Sequence, residues 1–346
     1  MRFWNVSAST SAAPRIDSSL TDIPEGVLIA FAFILGLIFG SFGTVVSYRV
    51  PRGESISTPK RSFCLNCQHQ ISFIENIPVF SYLFLRGRCR HCGTNISPRY
   101  PLTELLTAIL FAAAAAKFDA TVEAVAYALF FWTLVVLAVI DLEHKKLPDK
   151  IVLPLVVGGV GLLALAAGVD GSFGEFSPVA LISALVAIAI SAFMFWPASE
   201  EEGDDEQVKR RPLNVYGILV LAGWGALTTA AFVEREQTWL AGAVIGAAVF
   251  SGFFFSVGFT VAGGMGGGDI KLALALGAFS GYLGAPGTPL VAMFMSLVVG
   301  GVISMIFLTR GGSRKDQLPF GPFLALGTTI AIFFGQELQD WYGGLF

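Results

Sequence analysis

The sequence predicts an all-α polytopic membrane protein, with about ten transmembrane helices and one small cytoplasmic zinc-ribbon-like domain. Three observations carry that expectation. Hydrophobic residues make up 54% of the 346 and charged ones only 14%, which is far more apolar than a soluble chain of this length. The apolar residues are gathered into runs long enough to cross a bilayer. All four cysteines lie together in a polar segment after the first run.

Taken in order, a polar segment at 1–23 precedes the first apolar run, which starts at Val27, so no cleavable signal peptide is expected. Spans are expected near 24–48, 101–117, 122–140, 148–168, 177–196, 214–233, 238–260, 269–283, 287–309 and 319–336. The lysines and arginines set the orientation. With 49–100 on the cytoplasmic side, 18 of the 22 fall on that side, leaving only Arg2, Arg15, Lys117 and Arg235 opposite. The chain divides into the polar start, the first span at 24–48, a four-cysteine domain at 49–100, and a membrane domain at 101–346. The net charge of -3 carries little information, since distribution outweighs sum in such a protein.

The chemistry gathers at Gly264-Met265-Gly266-Gly267-Gly268-Asp269-Ile270-Lys271-Leu272, a glycine run ending in a carboxylate at the start of an apolar helix. Ionisable groups at membrane helices are costly and mark function. The glycines leave no side chain between backbone and an incoming peptide. A partner acid, Asp141, ends the span Val135 to Ile140, and charge parity puts both acids at the cytoplasmic surface. Two such carboxylates suit an aspartyl protease in which one is ionised, the other protonated, and a water lies between. Asp269 opens a helix and Asp141 closes one, so the dipoles assign Asp269 as base and Asp141 as acid. Asp149, Gly266 and Gly268 are expected to support the pair.

Cys64-Leu65-Asn66-Cys67 and Cys89-Arg90-His91-Cys92 form two C-x-x-C knuckles 21 residues apart. In a reducing compartment four thiolates at this spacing suit a closed, structural tetrahedral zinc site rather than disulfides. Free thiols or a redox pair are the alternatives.

These residues carry a resemblance. The stretch Gly264 to Asp269 is similar to the glycine-aspartate signature of the prepilin peptidases, the aspartyl leader peptidases of type IV pilus and type II secretion systems. Ile140-Asp141 with Leu147-Pro148-Asp149 resembles that family's first aspartate motif. Further matches are Gly40-Ser41-Phe42 with Tyr48-Arg49-Val50-Pro51, Glu75-Asn76-Ile77-Pro78 with Ser81-Tyr82-Leu83, Arg99-Tyr100-Pro101 with Glu104, and Pro319-Phe320-Gly321-Pro322. The resemblance implies an inner-membrane endopeptidase that removes the leader of prepilins or pseudopilins at its cytoplasmic side. It also implies N-methylation of the new amine with S-adenosylmethionine, for which Glu75, Asn76 and Gly87 are candidates, Gly87 matching a family glycine linked to methyl transfer. No glycine-rich dinucleotide signature marks a cofactor site independently. The chain departs from the family pattern by an extra helix pair around 177–233, joined by the acidic loop Ser199 to Glu206.

Of the remaining residues, Glu104 is expected to bind a substrate amine or pair with Arg99. Glu143 and His144 are expected to face headgroups, and Lys271 to anchor the interface. The partners expected are the substrate and the lipid bilayer, with no nucleic acid and the oligomeric state left open. The rival readings are a peptidase without methyl transfer, a proton-coupled transporter, and a zinc-stabilised scaffold with inert aspartates.

Overall fold

In the computed structural model the described residues are 24–59, 61–169, 239–260, 266–283, 287–311 and 318–344. The expected spans at 177–196 and 214–233, and the acidic loop between them, lie outside these, as do Gly264 and Met265. The helices are α1 (Glu25–Arg49), the short α2 (Phe80–Phe84), α3 (Arg99–Phe118), α4 (Val122–His144), α5 (Asp149–Val169), α6 (Trp239–Thr260), α7 (Gly267–Tyr282), α8 (Thr288–Thr309) and α9 (Gly321–Gly343). Among the described residues five helical segments are long and apolar enough to cross a membrane: Glu25–Arg52, Arg99–Phe118, Val122–His144, Asp149–Ala166 and Thr288–Thr309. Among the described residues the only β pairing is two isolated bridges in the cysteine segment.

Small residues let the helices approach closely. On α1 a Cβ added at Gly36 would lie 2.5 Å from Ala108 Cα, and one at Gly40 would lie 2.6 Å from Glu104 Cα, so α1 lies against α3 backbone to backbone. Gly242 and Gly246 of α6 meet Gly277 and Gly281 of α7 in the same way. A Cβ at Gly246 or Gly277 would stand 2.2 Å from the other's carbonyl oxygen. α4 is the central post, touching α1, α3, α5 and α9. Its Tyr127 is fully buried and donates its hydroxyl to the Phe279 carbonyl of α7 at 2.7 Å. The ring of Phe130 stacks on Phe279 with centroids 4.0 Å apart. A T-shaped Phe39–Trp132 contact and a Trp132 indole bond to the Phe39 carbonyl at 2.8 Å tie α1 to α4. An aromatic core of this kind holds the α4–α7 pair, whose ends carry Asp141 and Asp269, in fixed register.

Candidate active site

Asp141 sits in the last turn of α4, which ends three residues on at His144. Lys145 takes the left-handed conformation, φ 52°, and its N–H caps the Asp141 carbonyl at 2.8 Å. Pro148 then opens α5, its carbonyl accepting from Ile151 and Val152. Asp269 lies in the first turn of α7, where its own N–H donates to Gly266 at 3.1 Å.

The segments that carry the two acids are joined through Leu147 and Gly321. A Cβ at Gly268 would meet Leu147 Cβ at 2.8 Å, and one at Gly321 would meet Leu147 Cδ2 at 3.5 Å. Leu147 therefore wedges between the glycine before Asp269 and the glycine at the start of α9. From that start the Gly321 N–H donates to Asp141 Oδ2 at 2.9 Å. Asp269 follows Gly268 directly, so Leu147 packs between the segments that carry the two acids. Both are buried from solvent over most of their surface: Asp141 is 5% exposed. The environment is one in which two carboxylates and a water could divide a single proton.

Two helix ends bear on Asp141. Asp141 closes α4, where the negative dipole end favours the neutral acid, but the N-terminus of α9 also points at it, and that end favours the anion. The dipole of a residue's own helix thus does not separate the two acids. At the atomic level, Oδ2 of Asp141 accepts the Gly321 N–H.

The segment between α1 and α3 is built as two copies of one knuckle, offset by 25 positions. In the first, Cys64 N–H donates to the His69 carbonyl at 2.9 Å and Gln68 N–H returns to Cys64 at 2.8 Å. In the second, Cys89 N–H donates to Thr94 at 2.8 Å and Gly93 N–H to Cys89 at 2.9 Å. Each turn needs a positive φ at the same place, 58° at Gln68 and 68° at Gly93. Each is closed by a bridge, Phe63 with Gln70 and Arg88 with Asn95. The four sulfurs lie within 4.8 Å of one another, with Cys64 and Cys92 3.9 Å apart. A tetrahedron of thiolates on metal–sulfur bonds of about 2.3 Å has edges of about 3.8 Å, so the set fits a metal ion. The Thr94 backbone N–H, then the Asn66 amide, lower the Cys92 thiol to about 6, whereas Cys67 in the same cluster is raised to about 11.

The residues in these two centres are matched by known families. The Bacterial Peptidase A24 N-terminal domain matches residues 34–118, and the type IV leader peptidase family matches residues 128–305. This chain belongs to the type IV leader peptidase family. A prepilin leader peptidase/N-methyltransferase of Aeromonas hydrophila is 30% identical over 337 residues, covering 90% of this chain and 93% of that protein. One of Burkholderia pseudomallei is 30% identical over 367 residues, covering 99% and 97%. One of Myxococcus xanthus is 46% identical over 153 residues, 44% of this chain and 45% of its own. No solved structure matches the chain.

Other residues of this leader peptidase fall in unexpected places. Lys271 does not anchor the interface: it is buried, and its ammonium binds both oxygens of Asp149 at 2.7 Å. Asp149 is accordingly held by α7 and not by Asp141. Arg99 pairs with Glu143, which binds α3 to the end of α4, instead of with Glu104. His144 turns Nε2 out of solvent. Glu104 is 8% exposed and accepts the Val79 N–H at 2.7 Å. That bond holds Val79 at φ 61°, a conformation a β-branched residue rarely adopts. Glu75 binds the Ser72 N–H and hydroxyl, which, ahead of His91 and Arg90, hold its carboxyl below the usual range.

Gly87 has a plain structural duty. At φ 68° it opens the second knuckle, its carbonyl accepting Ile96 N–H at 2.7 Å. Ser62 does the same for Ile71 in the first knuckle, at 2.9 Å. Sequence reasoning missed this duplication, the Leu147 wedge and the Gly321 contact. Only the duplication had a signal, the equal C-x-x-C offsets.

Proposed function

We propose that this leader peptidase is an inner-membrane aspartyl endopeptidase of prepilins or pseudopilins that also N-methylates the new amino terminus. The packing of Leu147 against both Gly268, just before Asp269, and Gly321, whose N–H binds Asp141, is the observation that supports the first activity most directly. The relatives' shared name supports both. Asp141 and Asp269 divide one proton across a water that attacks the scissile carbonyl, one carboxylate taking the water's proton while the other donates to the leaving amine. No covalent intermediate forms. Gly266 lets the substrate backbone lie beside Asp269, Gly268 makes room for Leu147 between the segments that carry the acids, and Asp149 positions α7 through Lys271.

The lysine and arginine distribution supports placing both acids at the cytoplasmic face, where a short basic leader would meet the apolar helix that stays in the membrane. α7 has 16 residues, a helix of roughly 24 Å against a hydrocarbon core of about 30 Å, which supports a site a little below the interface. Cys64, Cys67, Cys89 and Cys92 hold a structural zinc that closes both knuckles. S-adenosylmethionine is the methyl donor.

Incubating the purified protein with a prepilin and methyl-labelled S-adenosylmethionine tests the whole reading. Clipping with label on the mature amine is the expected result. Clipping without label leaves a peptidase alone, and neither signal favours a proton-coupled transporter or an inert scaffold.

A further inference from the structure

Between its two knuckles the cysteine module turns an apolar face outward. α2 is Phe80-Ser81-Tyr82-Leu83-Phe84, and at about 100° per residue Phe80, Leu83 and Phe84 share one side of it. That side is exposed, whereas Ser81, Tyr82 and the following Leu85 line the space between the module and helices α1 and α3. The turn before α2 repeats the arrangement. Phe73, Ile74 and Ile77 are exposed, while Glu75 and Asn76 line the same inner space. The turn touches α2, so the two apolar groups adjoin. Phe73 is 88% exposed and Phe84 85%, more than any large apolar residue described on the membrane-crossing helices, where Met305 reaches 70%. An apolar patch of this kind marks an interaction surface.

A hydrogen bond sets its depth. Val79, directly before α2, donates its N–H to Glu104 at 2.7 Å. Glu104 lies five residues into α3, which is long and apolar enough to cross the bilayer from Arg99. Arg99, paired with Glu143 at the end of α4, marks the surface level. Five residues of helix rise roughly 7 Å, so α2 starts at the headgroup–acyl boundary and not above it. Helices that lie in the interface bury their apolar side by about 5–10 Å, the same depth. On α3 itself Leu102, Leu105, Leu106 and Ile109 are exposed at helical spacing, a stripe suited to lipid that begins at this level.

The charges beside the patch agree with that setting. Arg86 and Arg88 follow α2 and are exposed, Arg86 at φ 51° where the chain turns back toward the second knuckle. Guanidinium groups flanking an apolar face suit the phosphates of an anionic leaflet. A soluble protein partner would have to enter the headgroup layer to reach the same face.

We propose that residues 73–88 are an interfacial anchor that seats the cysteine module in the leaflet α3 enters at Arg99. Phe73, Phe80, Leu83 and Phe84 lie at the acyl boundary, and Arg86 and Arg88 bind anionic lipid phosphates. The module then lies along the membrane instead of projecting from it. This rests on the crossing of the bilayer by α1 and α3, and on neither activity proposed above.

Full-length protein in lipid nanodiscs, with photoreactive benzoylphenylalanine in place of Phe73 or Phe84, tests the anchor. Irradiation should join both positions to lipid, with a yield within about threefold of the same residue placed at Leu106 of α3. In discs of equal parts phosphatidylglycerol and phosphatidylcholine, the adducts at position 84 should favour the anionic lipid about twofold or more, and Arg86→Gln with Arg88→Gln should remove that preference. The double variant keeps the apolar face, so its total lipid yield should persist, which separates loss of charge from loss of the fold. Adducts to a second copy of this chain, or to added prepilin, in place of lipid would overturn the proposal and make the face a protein-docking surface. Lipid adducts at position 106 but none at 73 or 84 would overturn it as well, by leaving the module above the headgroups. A lipid preference unaltered by the double variant would contradict the role of the two arginines. Prepilin cleavage by the same samples reports on the peptidase reading separately.

Discussion

Lys271 Nζ donates to both carboxylate oxygens of Asp149 at 2.7 Å, tying the first turn of α7 to the first turn of α5. Asp269 stands two residues before that lysine, and Asp141 ends the helix just before α5. The pair therefore sets the spacing between the two segments that carry the candidate acids. Both side chains are largely shielded, with 11% and 21% of their surfaces exposed, so the interaction is screened less than a surface ion pair.

Asp149→Ala should lower the stability of the detergent-solubilised protein by about 1.5–3 kcal/mol, the range for hydrogen bonds to a charged group. The thermal midpoint reads the loss. Adding Lys271→Met should restore part of it, because the double change removes the ammonium that the single change leaves in a dry site. Additive losses in the double variant would contradict a direct pair.

Gly321→Ala should cut leader cleavage by about a hundredfold or more, since a reacting group moved by about 1 Å loses roughly that much. The added methyl would stand 2.8 Å from Asp141 Oδ2, so either the carboxylate or the start of α9 must move. Cleavage kinetics on a purified prepilin should show the loss in kcat rather than in KM. A variant with wild-type kcat would mean that the N–H contact does not hold Asp141 in place.

Gly277→Leu should be among the most disruptive changes in the membrane domain. The Gly277 Cβ position is 2.2 Å from the Gly246 carbonyl oxygen, and backbone cannot yield as a flexible side chain can. Separating α6 from α7 costs at least the 1–3 kcal/mol typical of overpacking and carries Asp269 with it, which should appear as reduced accumulation in membranes. Gly252→Leu on the facing helix α6, where an added Cβ meets nothing within 4 Å, is the control.

Metal analysis of the purified protein should find one zinc per chain, and Cys64→Ser or Cys92→Ser should abolish it. Removal by a strong chelator should loosen both knuckles together, since each supplies two of the four sulfurs. Retention of the metal by either single variant would point to a ligand set other than the four thiolates.

Much of this architecture could be read from the sequence because it follows from hydrophobicity. The α3, α4, α5 and α8 runs end within a few residues of where apolar character ends. α9 runs on to Gly343 past the expected 336, because Gln336 to Trp341 is polar yet still helix-forming. α7 begins at Gly267, two residues early, since the glycines after Met265 join the first turn. The acids themselves were visible as charges at the ends of apolar runs. What was not visible depends on backbone groups and on distant pairing: an N–H at Gly321 reaches a carboxylate 180 positions away, and no residue type announces that. Lys271 was misplaced for a related reason, since a lysine near a membrane end has no local sign telling it to face inward toward Asp149.

The most direct test of the central claim is the rate of leader removal by Asp141→Asn and Asp269→Asn proteins, each first shown to keep the wild-type thermal midpoint. Asparagine keeps the shape of the side chain and removes its capacity to take or give a proton, so each change alone should reduce cleavage by about a thousandfold or more, and the double variant should be little worse, as for residues that act as one unit. Near-normal cleavage by either single variant would contradict the account, because one acid would then be working without the other.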